Sequence, residues 1–420
     1  MYCAMHRAGK GCMVQEERHK EGVGFVSLKA TWRTHAAALA LCLWLFADHF
    51  ALAQPSAAPV LLVSPVAIGN NGMPHRNPTI AVAPGGRATI VAESGPANAR
   101  RLVLTDLSPT GWDPPSTLDF SGPGECCNPS ITYDSSGTLH LVWSEKRGGT
   151  FAICYTRRSP DGKWLDKEIL TAPPELNCEF PQVASDSSGR IWAAWQAGRA
   201  TRYGIYLAWY DSNSPFTIHD VTGANGDHHN LYPQLLPDSP YLLLWYEEAG
   251  ASFRLQSAVG TASGTGLEIV PPLEFDRLDA NQMPWLFQAP SGMLGGVWTD
   301  LIGNRVRVFV GFQGALSRGE GLVADTMLSG DAAYPCAVAI GEQSVVLAWT
   351  SRLPLGSLVC VGRVEGASRV DASLALPVLP DGSYCRPRLA AGATNVVHCV
   401  WFSDAARGGN GKIYYAALRF

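Results

Sequence analysis

Charge is scarce in this chain. Only 16% of its 420 residues are Asp, Glu, Lys or Arg, and beyond residue 53 the lysines number four, at Lys146, Lys163, Lys167 and Lys412. No basic run occurs, and the formal net charge is −4. Tracking a phosphate backbone requires clustered Lys and Arg, so nucleic acid is not an expected partner. Helical patterning is missing too: no 12-residue stretch after residue 55 carries apolar residues at a 3.6-residue period, which argues against a bundle. No apolar run after residue 53 reaches the ~20 residues of a membrane helix. Neither His-x-x-x-His nor Cys-x-x-Cys spacing appears, so no metal and no cofactor is expected.

What the chain has is a period. Pro78, Pro129, Pro181, Pro233, Pro284, Pro335 and Pro387 follow one another at intervals of 51 or 52 residues. A repeat this regular means one supersecondary unit copied seven times. Trp143, Trp195, Trp298, Trp349 and Trp401 each fall 14 residues after their proline, while Trp245 falls 12 after and Ala92 takes the place in the first copy. Gly86, Gly137, Gly189 and Gly292 lie eight residues after the proline. Proline, apolar run, glycine turn, apolar run and tryptophan describe a β-hairpin. Two further strand-like runs complete each unit, such as residues 151–156 and 167–170 in the second copy. Four strands in about 50 residues describe a propeller blade. The expected fold is therefore all-β, a single seven-bladed β-propeller of four-stranded antiparallel blades. The last copy stops after its third strand at Phe420, and the apolar run 59–68 ahead of the first copy supplies the missing fourth. Closure of this kind leaves no open edge; an open β-solenoid would need no borrowed strand.

Residues 1–53 stand outside the repeat. Arg33-Thr34-His35 precedes the apolar run 36–47, and Ala51-Leu52-Ala53 precedes Gln54. A positive flank, a short apolar core and an Ala-x-Ala end read as a secretory signal peptide cleaved after Ala53, following an over-long start. The domain is expected to span 54–420, secreted or periplasmic, without a membrane span and as a monomer. Eight of the eleven cysteines lie in it, an even number that suits an oxidising compartment. Cys126, Cys127 and Cys178 share a repeat phase in adjacent blades, and Cys336 and Cys385 bracket it in the last two. Bridges are expected from Cys178 to Cys126 or Cys127, and between Cys336 and Cys385.

In a propeller, the loops before each innermost strand and after each second strand open on one face around the axis. Here these are the segments before the prolines and after the tryptophans. They carry His75, Arg76, Glu93, Glu179, Glu247, Asp300 and Arg386 as candidate ligand-binding residues, and Glu145, His228 and His229 as candidate acid/base groups. The plain alternative is that loop tips are hydrophilic in any propeller.

Several segments resemble the sialidase-like, or BNR-repeat, propeller superfamily. The likeness covers residues 58–420 at the level of the repeat. Its telling details are the Asp-x-x-Gly turns and Ser159-Pro160-Asp161-Gly162-Lys163-Trp164, which is similar to a shortened Asp-box. In that family the box is a structural turn on the face away from the active site. His75-Arg76-Asn77-Pro78 resembles the early Arg-x-Pro segment whose arginine grips a substrate carboxylate. By position, the resemblance assigns Tyr384 the place of the nucleophilic tyrosine and offers Arg352 and Arg386 as further arginines. Conventional sialidases have six blades, whereas this chain counts seven. Seven-bladed relatives include polysaccharide lyases and glycosidases with an axial histidine, and Asp227-His228-His229-Asn230 is similar to their segments before the strand. The resemblance implies a protein that binds, and either hydrolyses or lyses, an acidic extracellular glycan on the axial face. The competing expectation is a non-catalytic propeller, lectin-like or a scaffold for another protein.

Overall fold

In the computed structural model the described residues are 59–420, apart from 70–74, 121–123, 171–174, 200–201, 211–214, 223–228, 237–241, 250–251, 261–266, 279–284, 291, 313–320, 325–329, 355, 367–368, 377–385 and 404–410. They form seven antiparallel sheets. The innermost strands are His75–Val82, Cys126–Tyr133, Asn177–Ser185, Asn230–Leu236, Trp285–Gln288, Asp331–Ala339 and Arg388–Ala391. Blades run outward in chain order, except that the outermost strand of blade seven is Val60–Ile68, paired with Lys412–Arg419. The expected seven-bladed propeller with an N-terminal closing strand is the fold observed. No helix among the described residues is long and apolar enough to cross a membrane.

Strand register explains the tryptophan spacing. The residue after each repeat proline pairs with a second-strand residue that is followed at once by the tryptophan. Ser130 pairs with Val142 before Trp143, Gln182 with Ala194 before Trp195, and Cys336 with Ala348 before Trp349. Gln234 pairs with Leu244 before Trp245 in the same way. Blade four simply has a hairpin two residues shorter, so its exception in sequence is no exception in space.

Each tryptophan packs back onto the preceding blade. Trp143 lies among Val91, Leu102 and Leu104 of blade one. Trp195 lies against Val142, Ile153 and Tyr155 of blade two, and Trp401 against Val346, Val359 and Val361 of blade six. Every such tryptophan is at most 3% exposed. Burying a large aromatic side chain between two sheets supplies much of the adhesion between blades. Seven apolar clusters fill seven interfaces, the last joining Ile68, Val400 and Tyr415 of blade seven to Ile80 and Ile90 of blade one. Near the axis, residues following the prolines reach across to the next blade. Ser130 Oγ accepts from the Val183 N–H at 3.2 Å, Gln234 Oε1 accepts from the Leu286 N–H at 2.9 Å, and Trp285 Nε1 donates to the Ala337 carbonyl at 3.2 Å.

The Asp-x-x-Gly turns fold as carboxylate-capped turns on the opposite face. Asp134 Oδ1 accepts from the Ser136 and Thr138 N–H groups, and Asp186 Oδ1 from those of Ser188 and Arg190. Gly137 and Gly189 take φ of 82° and 81° there, where a Cβ would be strained. Residues 159–164 join the third strand of blade two, Thr150–Arg158, to its fourth, Glu168–Leu170.

The cysteines depart from expectation. Cys126, Cys127, Cys178 and Cys336 stand as buried thiols, not as bridges, and Cys385 lies outside the described residues. Equal repeat phase places them in different interfaces, with Cys126 in the core between blades one and two and Cys178 in that between two and three. Their thiols turn back to carbonyls of their own segments, Gly124 and Leu176. Cys336 packs in the core between blades six and seven. Cys154 and Cys360 share a phase because each lies opposite a tryptophan, Trp143 and Trp349.

Closure makes a measurable claim. Ile68, 3% exposed, sits in the seventh interface, whereas Val66 on the same strand is 41% exposed. Ile68→Ala is expected to cost about 2–5 kcal/mol in urea unfolding, and Val66→Ala no more than about 0.5 kcal/mol. Equal effects would mean that the closing strand contributes no core.

Candidate functional site

The axial mouth is built on a backbone irregularity repeated around the ring. In five blades the residue before the repeat proline has positive φ: Asn77 at 47°, Asn128 at 52°, Phe180 at 52°, Tyr232 at 49° and Tyr334 at 52°. The inner strand carries one extra residue there, as between Arg76 and Thr79, Cys127 and Ser130, and Glu179 and Gln182. Such a bulge re-aims a side chain. A left-handed conformation is uncommon outside glycine, and for a bulky residue ahead of proline it is strained. Strain of this kind persists only where the surroundings enforce it, and it clusters at functional sites.

The bulge frees a backbone N–H, and the preceding blade caps it. Glu93, the residue after Ala92, accepts from the Asn128 N–H at 2.8 Å, and Gln196, after Trp195, accepts from the Tyr232 N–H at 3.0 Å. Neighbouring members of the ring also meet through their side chains. Asn77 Nδ2 donates at 2.8 Å to the same Glu93 Oε1 that accepts the Asn128 N–H, so one carboxylate oxygen joins blades one and two. Phe180 and Tyr232 make an edge-to-face pair with centroids 4.9 Å apart. The Arg386 guanidinium lies 4.7 Å from the Tyr334 ring centre, and Arg352 lies 5.6 Å from it. Below the ring, a cavity of about 350 Å³ runs among the innermost strands, lined in part by Asn77, Asn128, Phe180, Trp285, Arg386 and Arg388.

Residues expected to share one pocket fall into separate clusters around this mouth. Glu93 and Glu125 are buried and bridged by Arg100, which donates to Glu93 at 2.8 Å and through Nε to Glu125 at 2.6 Å. Burial pushes the Glu125 carboxyl up, but the Arg100 and Asn98 hydrogen bonds outweigh it and hold its pKa below the usual value. Because Arg100 occupies both carboxylates, half-buried Arg76 forms no ion pair with either. Glu145 is buried and accepts from Lys167, Arg147 and Trp143 Nε1. His75 is 3% exposed and donates its backbone N–H to Gly411; burial lowers its pKa. Burial, then the Glu93 charge, raises the Cys127 pKa, so its thiol stays protonated.

At blades three and four, Glu179 accepts from Asn177 Nδ2 at 2.7 Å, and Asn177 also donates to the Tyr203 hydroxyl at 3.3 Å. His229 Nδ1 accepts from the Tyr203 N–H at 3.2 Å, with the two rings 5.4 Å apart. Burial raises the Tyr203 pKa and keeps the phenol protonated. Glu247 accepts from Gln256 Nε2, and Asp300 from the Leu301 N–H at 2.6 Å. His228 and Tyr384 lie outside the described residues. Among the described residues, no group of three His, Cys, Asp or Glu is placed to hold a metal ion. Sequence reasoning passed over Phe180, Tyr232, Tyr334, Arg388, Tyr203 and Arg100. The first four had a signal, their fixed place beside a repeat proline, whereas Arg100 and Tyr203 had none.

The Arg100 bridge is expected to matter for stability. Arg100→Ala leaves two buried carboxylates unpaired and should cost about 3–5 kcal/mol. Glu125 has a lowered folded pKa, so its contribution is complete above the unfolded value of about 4.3 and is lost as pH falls through the folded one. Melting temperatures between pH 7 and pH 3 should fall less steeply for Glu125→Gln than for wild type. Parallel curves would remove Glu125 from that role.

No protein-family model and no curated protein sequence matches this chain. Solved structures do. A protein of unknown function from Dyadobacter fermentans DSM 18053 superposes with a TM-score of 0.55 at 13% identity, over 86% of this chain and 99% of that one. The polysaccharide lyase Uly1 gives 0.53 at 12% identity, over 84% and 91%. A family PL25 polysaccharide lyase, an ulvan lyase, gives 0.52 at 10% identity, over 85% and 94%. At such identities the likeness concerns the fold alone, and it extends over most of this chain and of each of those proteins.

Proposed function

We propose that this protein is a glycan-directed propeller that binds an acidic carbohydrate across its axial mouth, working outside the cytoplasm after loss of residues 1–53. One observation carries the proposal: the strained ring before the repeat prolines presents Phe180 against Tyr232, and Tyr334 beside Arg386 and Arg352. Aromatic faces offer apolar surface to sugar C–H groups, and a guanidinium fork matches a carboxylate or sulfate. Holding bulky residues in a left-handed conformation costs about 1–3 kcal/mol each, which a merely solvated loop has no reason to retain. Two of the structural neighbours are named as polysaccharide lyases, which supports a carbohydrate ligand; fold alone does not assign one.

A catalytic role has specific groups to draw on. Tyr203 with its raised pKa supplies a proton donor, and His229, whose Nδ1 accepts the Tyr203 N–H, carries its own proton on Nε2 as a second donor beside it. Incubation with a panel of acidic polysaccharides and sialosides, scored for retention and for released products, separates binding from cleavage.

Calorimetry with a retained glycan tests the site. Tyr334→Ala is expected to weaken binding by about 2 kcal/mol or more, and Arg76→Ala by about 2–5 kcal/mol if Arg76 clamps the acidic group. Unaltered affinity in both variants would place the ligand elsewhere.

A further inference from the structure

Blade two fills the outer part of its interface with a run of aromatic rings. Trp164, at the end of the shortened box, lies 4.8 Å from Phe120 between ring centres, and Phe120 lies 5.7 Å from the core residue Trp143. All three pack in the cluster between blades one and two. Blade one repeats only the outer member of this run. Its segment Ser108-Pro109-Thr110-Gly111-Trp112 begins at the same repeat phase as Ser159. It closes in the same way, with Ser108 Oγ donating to the Gly111 carbonyl as Ser159 Oγ donates to that of Lys163. The two inner members are replaced. Gly69, nine residues before its proline, takes the place of Phe120, and Ala92, fourteen after, takes that of Trp143.

The interface between blades seven and one is therefore two rings short, and it holds a cavity. About 510 Å³ of space lies between the closing strand and the outer strands of blade one, lined in part by Val63, Val66, Ile68, Leu107, Trp112 and Tyr415. Such a volume falls within the roughly 300–1,000 Å³ of small-molecule sites. Gly69 is on its wall with φ of 75°, and a Cβ there would come within 2.8 Å of Pro115 Cγ, so the chain supplies no side chain at that point. Val63 and Val66, 38% and 41% exposed, open the cavity to solvent. It shares no lining residue with the axial cavity.

The lining selects the guest. Among the described residues on it, Asp113 alone carries a charge, and it is exposed. The Tyr415 hydroxyl is engaged by His398 Nδ1 at 2.7 Å. With no cation to match it, an anion gains nothing here, whereas a flat apolar ring gains contact with the Trp112 and Tyr415 rings, which meet edge to face at 4.8 Å. The cavity is continuous with the apolar interface, since Ile68 and Tyr415 belong to its core and Trp112 packs against it. Blade two shows which shape fits between such walls, because Phe120 stands there.

We infer that this cavity is a separate binding site for a small, uncharged, planar aromatic molecule, which takes the place that Phe120 has between blades one and two. The site lies apart from the axial mouth and does not depend on the carbohydrate reading.

Indole is the probe, with cyclohexanol as a saturated ring for comparison, each titrated calorimetrically into the folded protein. The expected result is saturable binding of indole, weakened at least about tenfold in Val66→Trp, whose own ring occupies the cavity. Val60→Trp, on the same strand but outside the lining, keeps the wild-type constant. Val63→Trp gives the same loss where Val66→Trp fails to fold. Cyclohexanol should bind at least about tenfold more weakly than indole. No saturable binding of indole, an unchanged constant in the folded Val66→Trp and Val63→Trp variants, or cyclohexanol binding as tightly as indole overturns the inference.

Discussion

The pairing of the first described strand with the last is the constraint on which the rest of the molecule depends. Val60–Ile68 adds to Lys412–Arg419 and brings Ile68 and Tyr415 against Ile80 and Ile90. That contact turns a row of six interfaces between blades into a ring of seven. Only a closed ring surrounds an axis, and only around an axis do residues from Asn77 to Arg388 face a common cavity. The tryptophans act at the same level. By packing each blade onto the one before, they hold the innermost strands in a fixed rotational order, so that small differences in the loops between blades become differences around a circle.

The ring also explains why strain can be tolerated at the mouth. In five blades a bulge at the repeat proline leaves an N–H without a ladder partner, which is costly when buried. The side chain following the tryptophan position of the preceding blade accepts it, as Glu93 does for Asn128 and Gln196 for Tyr232. Glu93 therefore belongs first to the architecture, and Arg100 balances its charge. The mouth divides in consequence: blades one and two carry carboxylates already matched by cations, and in blades six and seven Arg352 and Arg386 lie over the Tyr334 ring and Arg388 over that of Trp285.

Much of this was legible in the chain. Proline spacing revealed seven units, and the run 59–68 announced the closing strand, because repetition writes a three-dimensional ring into one dimension. The same register places the loops before the prolines and after the tryptophans on one face. Which carboxylates remain available was not legible, since that depends on partners such as Arg100 for Glu125 and Lys167 for Glu145, whose positions carry no repeat signal. Cysteines of equal phase suggested bridges, yet equal phase puts each thiol on the same face of its own blade, so Cys126 and Cys178 enter successive interfaces and do not share one. Left-handed backbone at Phe180 and Tyr232 was also hidden, because neither residue type announces positive φ.

A crystal structure of the protein soaked with an acidic oligosaccharide retained in binding assays would test the central claim most directly. The account predicts sugar density at the axial mouth, with rings against Phe180, Tyr232 or Tyr334 and the acidic group directed toward Arg386 and Arg388. Density on the opposite face, among the Asp134 and Asp186 turns, or on the outer rim with the mouth empty, would contradict it.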